Sequence, residues 1–501
     1  MVASIIYLFL PAVFVLLFLN YRSRNYHKNL PPSPPALPIL GHLRLLKPPL
    51  HRTLHRLSQD YGSIISLCFG FRLVVVVSSP SAVEECFTKN DVILANRPKF
   101  LAAKLLAYNY STMPSSSYGD HWRNLRRIAT IEIFSTQRLN MFLSIRKDEI
   151  KRLIIKLSRC DSSLEDFNRV GLRPMFRDLT FNVMMRTIAG KRYYGEDVSD
   201  QEEATQFRSI MDEIASYAGV SNRGDFLPIL NWIDGGRFEN KLKQLGEKTD
   251  RFSQGLIDEH RYKKGNLENT NSMIDHLLTS QQSQPDYYTD EIIKAMILSL
   301  ILAGTDTSAV TLEWTLSALV NHPNILSKAT KEIEDEVGKE QLVDESDLQK
   351  LLYLKNIILE TFRLYPPVPL LLPHVSSEAC MIGGYNVPRD TLVLVNSWAI
   401  HRDPTVWEDP LSYRPERYEN GEGDGFKLMP FGLGRRSCPG AGLAHRVVGL
   451  TLASLIQCFE WKRVSEEEIE MIEGGGLTMP KAKPLEALCR PRGVIISKIL
   501  S

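Results

Sequence analysis

Seven cysteines stand at positions 68, 86, 160, 380, 438, 458 and 489, and one is set apart by its neighbours. Cys438 lies in Phe431-Gly432-Leu433-Gly434-Arg435-Arg436-Ser437-Cys438-Pro439-Gly440. The glycines before it allow a tight turn and close backbone approach. A helical stretch is predicted over Ala441–Cys458, so the thiol sits just before a helix N-terminus. There the dipole and the free amides favour a thiolate. Arg435 and Arg436 add positive charge. A lone thiolate in a glycine loop beside an aromatic ring suits a single-cysteine metal bond, with haem iron the leading candidate. A reactive nucleophilic cysteine is the competing chemistry. There is no Cys-x-x-Cys, which excludes a zinc ribbon and c-type haem attachment. The odd, sparse cysteines argue against a disulfide scaffold and for a reducing compartment.

Other chemistry-bearing residues sit in apolar surroundings. Ala303-Gly304-Thr305-Asp306-Thr307-Ser308 falls inside a helix predicted over Thr289–Val320. A glycine costs about 1 kcal/mol in a helix interior, so its presence there needs a reason. An alcohol and an acid side by side, Thr307 and Asp306, suit proton delivery; the plainer reading is a polar kink in a core helix. Trp122 and Arg126 are four apart and share a helix face, as do Glu360 and Arg363 at three apart. Taken alone, the first pair reads as an ordinary surface helix. The second reads as a salt bridge worth about 0–1 kcal/mol. His374 follows Leu370-Leu371-Leu372-Pro373; a lone histidine is more often structural.

The elements that must position these residues are mostly helical. Periodicity predicts helices over Gln137–Ser158, Gln201–Ala218, Phe238–Tyr262, Thr289–Val320, Asn324–Val337 and Asp347–Leu364. Ile64–Ser78 reads as a hairpin around Gly70, and Met381–Asn396 as a second strand pair. The fold class is mainly α with a minor β part. The acidic clusters Glu332–Glu336 and Glu466–Glu470 read as solvated faces. Hydrophobic residues make up 44% and charged residues 24% of the 501, which is globular composition and excludes wholesale disorder. A net charge of +2 offers no field for nucleic acid. Residues Val2–Leu19 carry no charge, and at 1.5 Å per residue they reach roughly 27 Å, about a bilayer core. Arg22, Arg24 and Lys28 follow, with no basic residue before the run and no small-x-small site closing it. This is the pattern of a retained anchor with a cytoplasmic C-terminal side, rather than a cleaved signal. The expected organisation is a transmembrane signal anchor over 2–21, a basic and proline-rich linker over 22–42, and one catalytic domain over 43–501.

The order Phe-x-x-Gly-x-Arg-x-Cys-x-Gly at Phe431, Gly434, Arg436, Cys438 and Gly440 resembles the haem-binding signature of cytochromes P-450. Further motifs follow the family's order, so the resemblance spans essentially the whole chain. It implies the cytochrome P-450 fold, a helical haem-thiolate domain, with one N-terminal transmembrane helix. It implies haem b (iron protoporphyrin IX) with Cys438 as the axial ligand of its iron. Phe431, Arg436 and Gly440 would surround that ligand. Trp122, Arg126 and a basic His374 would meet the propionates. Gly304 would leave a groove for dioxygen, Thr307 would present a hydroxyl for proton delivery, and Asp306 would relay protons from solvent. Glu360 and Arg363 would form a buried pair meeting Pro415-Glu416-Arg417-Tyr418, where Tyr418 replaces the usual Phe.

Within the family the chain is similar to plant microsomal enzymes, especially the family-81 group. The cues are Leu-Pro-Pro-Ser-Pro-Pro-Ala-Leu-Pro at 30–38, Tyr-Gly-Asp-His-Trp-Arg at 118–123 and Ala-Gly-Thr-Asp-Thr-Ser-Ala-Val-Thr-Leu-Glu-Trp at 303–314. The resemblance implies a monooxygenase in the endoplasmic reticulum membrane, single-pass, with a cytoplasmic catalytic domain. It would use dioxygen and electrons from NADPH through a separate NADPH-cytochrome P-450 reductase. Arg127, Arg435 and Arg446 are candidates to meet that partner, and Arg435 and Arg446 could equally be internal. The substrate would be a lipophilic plant metabolite, phenolic, flavonoid-like or terpenoid. Either Val368, Leu370 and Leu372 or Pro369 and Leu371 would face it. Two other readings are a thiolate-haem isomerase or dehydratase of the same fold and a non-catalytic haem-binding membrane protein. The intact Asp306 and Thr307 argue against the isomerase or dehydratase.

Overall fold

The computed structural model describes residues 28–159, 166–195, 197–198, 200–217, 223–265, 271–421, 423 and 425–492. The expected anchor over 2–21 and Arg22 and Arg24 lie outside the described residues.

Helices dominate, and the longest apolar ones form the core. Helix Ala441–Cys458 has the predicted bounds and is buried from Val447 to Cys458. It packs beside Asp306–Asn321, which is buried throughout Ser308–Val320. Helix Leu172–Ala189 completes this centre, and periodicity did not reveal it. Its buried residues lie on every side, so no polar face alternates with an apolar one. The helix predicted over Thr289–Val320 is two, Asp290–Gly304 and Asp306–Asn321, broken at Thr305. The one predicted over Gln137–Ser158 is also two, Thr136–Met141 and Leu143–Ser158. Both apolar central helices are long enough to cross a membrane by composition, but each is largely buried in the protein.

The β part is a four-stranded sheet, a three-stranded sheet and a hairpin. Strand Ile64–Phe69 pairs antiparallel with Arg72–Val77, the predicted hairpin. Arg72–Val77 pairs parallel with Leu392–Val395, which is antiparallel to His374–Val375. Met381–Asn396 is therefore not one strand pair. Cys380–Ile382 and Tyr385–Val387 form a separate hairpin around Gly383-Gly384, and Leu392–Val395 belongs to the larger sheet. Nor is the proline-rich segment a free linker. Ser66 donates from its amide to Pro32 O at 2.9 Å and from its hydroxyl to Pro31 O at 2.7 Å. His42 is buried, accepts from Cys68 N–H at Nδ1 (2.7 Å) and donates from Nε2 to Pro34 O (2.9 Å). Prolines cannot donate, so this segment is held through its carbonyls.

Buried ion pairs tie the irregular segments to this frame. Arg363 donates twice to Glu360, both at 2.8 Å, and reaches the carbonyls of His401, Pro410 and Ser412. Arg417 adds a bond to Glu360 at 3.1 Å, and all three side chains are 0% exposed. The acidic cluster at 332–336 is only partly a solvated face. Glu332 accepts from the amides of Tyr353 and Leu354 and so caps helix Leu352–Leu364. Glu466, Glu467 and Glu468 are exposed as expected.

Glu473 anchors the chain's last hairpin. It is buried and accepts from His51 (2.9 Å), Arg52 (2.7 Å) and Trp398 Nε1 (2.7 Å). Burial pushes its carboxyl up, but the bonds from His51 and Arg52 outweigh burial and hold it at about 2, below the ordinary 4.5. A depressed carboxyl stabilises the fold above its unfolded pKa and loses that contribution as pH falls through the folded value. At 1.36 kcal/mol per unit the contribution is about 3 kcal/mol at neutral pH. Thermal unfolding of wild type and Glu473→Gln should therefore differ most above about pH 4.5, with more than half the gap gone by pH 3. A gap independent of pH would rule this ledger out.

Candidate active site

The cysteine loop is built by two left-handed glycines and one backbone clasp. Gly432 has φ +66° and Gly434 φ +63°. Cys438 N–H donates to Phe431 O at 2.8 Å, closing the loop on itself. Phe431 packs edge-on against Phe362 and against His445, seating the loop between helices Leu352–Leu364 and Ala441–Cys458. The amides of Gly440 and Ala441 hydrogen-bond the Cys438 sulfur. Cys438 is exposed, yet desolvation pushes its thiol up, and those amides and Arg126 only partly offset it. The sulfur is thus open to solvent on one side and surrounded by protein on the others. Burial thus outweighs the helix terminus, contrary to the sequence expectation of a free thiolate. A bound cation reverses that balance, because a coordinated thiol is deprotonated.

Arg435 and Arg436 do not act on the sulfur as expected. Arg435 is paired with Asp91 at 2.8 Å and bonded to Tyr118 Oη. Arg436 donates to Ala95 O (2.7 Å), Met113 O (3.3 Å) and Ser116 O (2.7 Å) and lies 4.2 Å from the centre of the Trp122 ring. Arg126 is the cation beside Cys438, bonded to the carbonyl and hydroxyl of Ser437. Arg97, which the sequence reading missed, donates to Leu372 O (3.0 Å) and Pro373 O (2.6 Å). Arg97, Arg126 and Arg436 have no carboxylate partner among the described residues. Burial lowers Arg97 to about 10 and, with the neighbouring Arg97 and Arg126, lowers Arg436 to about 9. Buried charges are ordinarily paired, so three guanidiniums held only by uncharged oxygens define a site for an anion. Trp122 Nε1 and Arg97 Nε are buried with no partner, two further donors left open.

His374 does not carry the charge expected of it. Its Nδ1 donates to Leu94 O at 2.7 Å, and burial, helped by Arg97 and Arg436, holds its pKa well below 6.5. The neutral ring fixes segment 94–97 against strand His374–Val375, and Arg97 supplies the cation.

The opposite wall comes from the broken helix pair. Leu302 is 39% exposed and Ala303 is exposed, while residues 295–301 before them are buried. Thr307 Oγ1 donates to Ala303 O at 2.7 Å, and Asp306 accepts from Thr478 Oγ1. A Cβ on Gly304 would lie 2.7 Å from Met184 Sδ, so the missing side chain is space used by helix Leu172–Ala189, not an open groove. Val368, Leu370 and Leu372 are partly exposed, whereas Pro369 and Leu371 are buried, which selects the first of the two expected sets. Hydrogen bonds link these parts in series: Asp306 to Thr478, Met479 N–H to Pro367 O, and Leu372 O to Arg97 beside Arg436. Arg127 and Arg446, like Arg435, have internal partners: Arg127 in Tyr287, Tyr288 and Glu132, Arg446 in Asn140 and Glu345.

A cysteine loop on a helix N-terminus, set in a helical domain with small sheets, defines a cytochrome P-450. The family model described as cytochrome P-450 matches residues 31–487, and the chain belongs to this family of haem-thiolate monooxygenases. A zebra fish cytochrome P-450 structure with progesterone superposes with TM-score 0.75 at 26% identity, covering 89% of this chain and 99% of that one. Within the family the chain sits with the plant family-81 members. It is 55% identical over 501 residues to cytochrome P-450 81Q32 of Catharanthus roseus, covering 100% of this chain and 99% of the relative. It is 58% identical over 467 residues to isoflavone 3'-hydroxylase of Medicago truncatula, covering 92% and 93%. It is 53% identical over 503 residues to (+)-piperitol/(+)-sesamin synthase CYP81Q2 of Sesamum radiatum, covering 99% and 98%.

The loop glycines give a graded test. A Cβ at Gly434 would meet Asp91 Oδ1 at 2.4 Å and Phe87 O at 3.2 Å, whereas at Gly432 it would meet nothing within 4 Å. Gly432→Ala should cost about 1 kcal/mol for its positive φ alone. Gly434→Ala carries the same strain plus the clash, and should cost roughly 2–3 kcal/mol. Equal losses in thermal unfolding would refute this reading of the loop.

Proposed function

We propose that the chain hydroxylates a neutral, lipophilic phenolic ring compound, flavonoid-like in shape, while anchored by residues 2–21 in the endoplasmic reticulum membrane. What supports this is the accessible Cys438 sulfur together with the aliphatic residues of the two segments expected to face the substrate: Leu302 and Ala303, which are exposed, and Val368, Leu370 and Leu372, which are partly exposed. No charge on that apolar wall would anchor an ionic substrate, which disfavours a polar amino acid. The flavonoid-like ring rests on the isoflavone hydroxylases among its relatives; a terpenoid scaffold would fit the same wall.

The residues fit haem b. Cys438 would bind its iron, and Arg97, Arg126, Arg436 and Trp122 would hold its two carboxylates, the charges the unpaired guanidiniums lack. When bound, haem would supply dioxygen activation. The chain's residues do the rest. Gly440 and Ala441 amides temper the sulfur's charge. Phe431 seats its loop against Phe362 and His445. Asp306 takes protons from solvent and Thr307 holds a hydroxyl where the second oxygen atom must be protonated to leave as water. The balance is substrate C–H, O2, NADPH and a proton going to C–OH, water and NADP+, with electrons from NADPH-cytochrome P-450 reductase. The isomerase or dehydratase reading has no observation in its favour, since both proton-handling residues are intact.

Cys438→Ala should remove the red-shifted Soret band of the reduced, carbon-monoxide-bound protein. Thr307→Ala should keep that band and the consumption of NADPH but release more oxygen as peroxide and less as product. An intact band without Cys438, or unchanged coupling without Thr307, would overturn the respective role. A high-spin spectral shift with charged hydrophilic metabolites, but none with neutral phenolic rings, would overturn the substrate class.

A further inference from the structure

Asp306 opens helix Asp306–Asn321 immediately after the break at Thr305. Its carboxylate has one hydrogen-bond partner among the described residues, the hydroxyl of Thr478, and no ion pair. A single aspartate rotamer is weakly fixed by its own helix, so its orientation rests on that donor.

Thr478 is itself held from both sides. It lies in the hairpin whose arms meet at the Glu473–Lys481 bridge. Three donors fix Glu473 at the base. Buried Lys481 donates to Glu470 O at 2.6 Å. The next residue, Met479, is clamped twice: its amide donates to Pro367 O at 2.9 Å, and its carbonyl accepts from Trp314 Nε1 at 2.7 Å. Trp314 in turn stacks on Tyr365 with rings 4.2 Å apart. The other arm is Gly474-Gly475-Gly476, with no side chains to pack, and Leu477 at the tip is 39% exposed. One arm is therefore clamped at Met479 and delivers Thr478; the other is tied at Gly474, whose N–H donates to Pro480 O at 2.7 Å, and leads to the exposed aliphatic residue next to Thr478.

We propose that Thr478 is a positioning residue for proton delivery: its hydroxyl orients the Asp306 carboxylate and makes the hairpin Glu473–Lys481 part of the relay. This rests on the reading of Asp306 as the proton carrier. Thr478 keeps its own proton; the protons delivered come from solvent and pass through Asp306 toward Thr307, not through Thr478. A substrate pressing on Leu477 would move Thr478 and so bear on how well electrons are coupled to product.

The test is a double-mutant cycle on the full-length haem-loaded protein with its reductase. Thr478→Val keeps the side chain's shape and removes the donor. It should leave the carbon-monoxide spectrum intact, lower product formed per NADPH about ten-fold or more, the worth of one orienting bond to a charged group, and raise the solvent isotope effect. Thr478→Ser should restore both. In an Asp306→Asn background, Thr478→Val should change neither further. Amide hydrogen exchange of 474–480 in the resting protein should also quicken in Thr478→Val. If Asp306→Asn uncouples the enzyme and Thr478→Val does not, the proposal falls and the reading of Asp306 stands. If Asp306→Asn itself leaves coupling unchanged, the reading of Asp306 fails and the proposal with it. Additive losses would assign Thr478 a merely structural role and overturn the proposal.

Discussion

Three guanidinium groups without a carboxylate partner, Arg97 buried and Arg126 and Arg436 half-buried, set the terms for the whole site. Removing a charge from water costs several kcal/mol even after relaxation, and an ion pair is the usual remedy. Arg97, Arg126 and Arg436 have instead only uncharged oxygens: Leu372, Pro373, Ser437, Ala95, Met113 and Ser116. Those oxygens come from four separate stretches of chain. Satisfying the three cations therefore fixes where each stretch runs. The cysteine loop, the segment 94–97, the turn at 113–116 and the apolar wall at 368–373 are gathered by the same bonds.

Elsewhere buried and half-buried arginines of the same protein are paired with carboxylates. Glu360 takes Arg363 and Arg417, Glu345 takes Arg146 and Arg446, Glu149 takes Arg186 and Arg192, and Glu313 takes Arg173. These pairs sit where elements must be locked together, and they leave no charge for a ligand. The contrast separates structural from ligand-facing arginines without reference to any relative. It also explains why Arg435, adjacent to Arg436 in sequence, belongs with the first group: Asp91 neutralises it.

The sequence made the cysteine loop legible because its information is local. Two left-handed glycines, a clasp and a helix start all lie within ten residues, and helix Ala441–Cys458 was predicted to the residue. Asp306 and Thr307 were legible as polar residues in an apolar run. What local pattern could not carry was pairing across the chain. Arg97 stands in Leu94-Ala95-Asn96-Arg97-Pro98, and its only signal was a charge flanked by buried apolar residues and a proline. Arg435 and Arg436 look alike in sequence, and only Asp91, more than three hundred positions away, tells them apart. His374 was expected to be basic from the family resemblance, and its burial, which lowers its pKa, lies in contacts across the chain. Helix Leu172–Ala189 was missed because a helix buried all round has no period to find. Gly304 was legible as an anomaly, but its cause, Met184 on another helix, was not.

If the unpaired guanidiniums are what the cofactor answers, its carboxylates rather than its ring should decide retention. The direct measurement is the affinity of apoprotein for haem against haem with both propionates esterified, read by Soret titration under matched conditions. Two lost charge-assisted contacts, each worth about 1.5–3 kcal/mol, predict a drop of at least a hundred-fold for the diester. Affinities equal within about two-fold would mean that the three unpaired cations are held for another purpose, and would contradict the account.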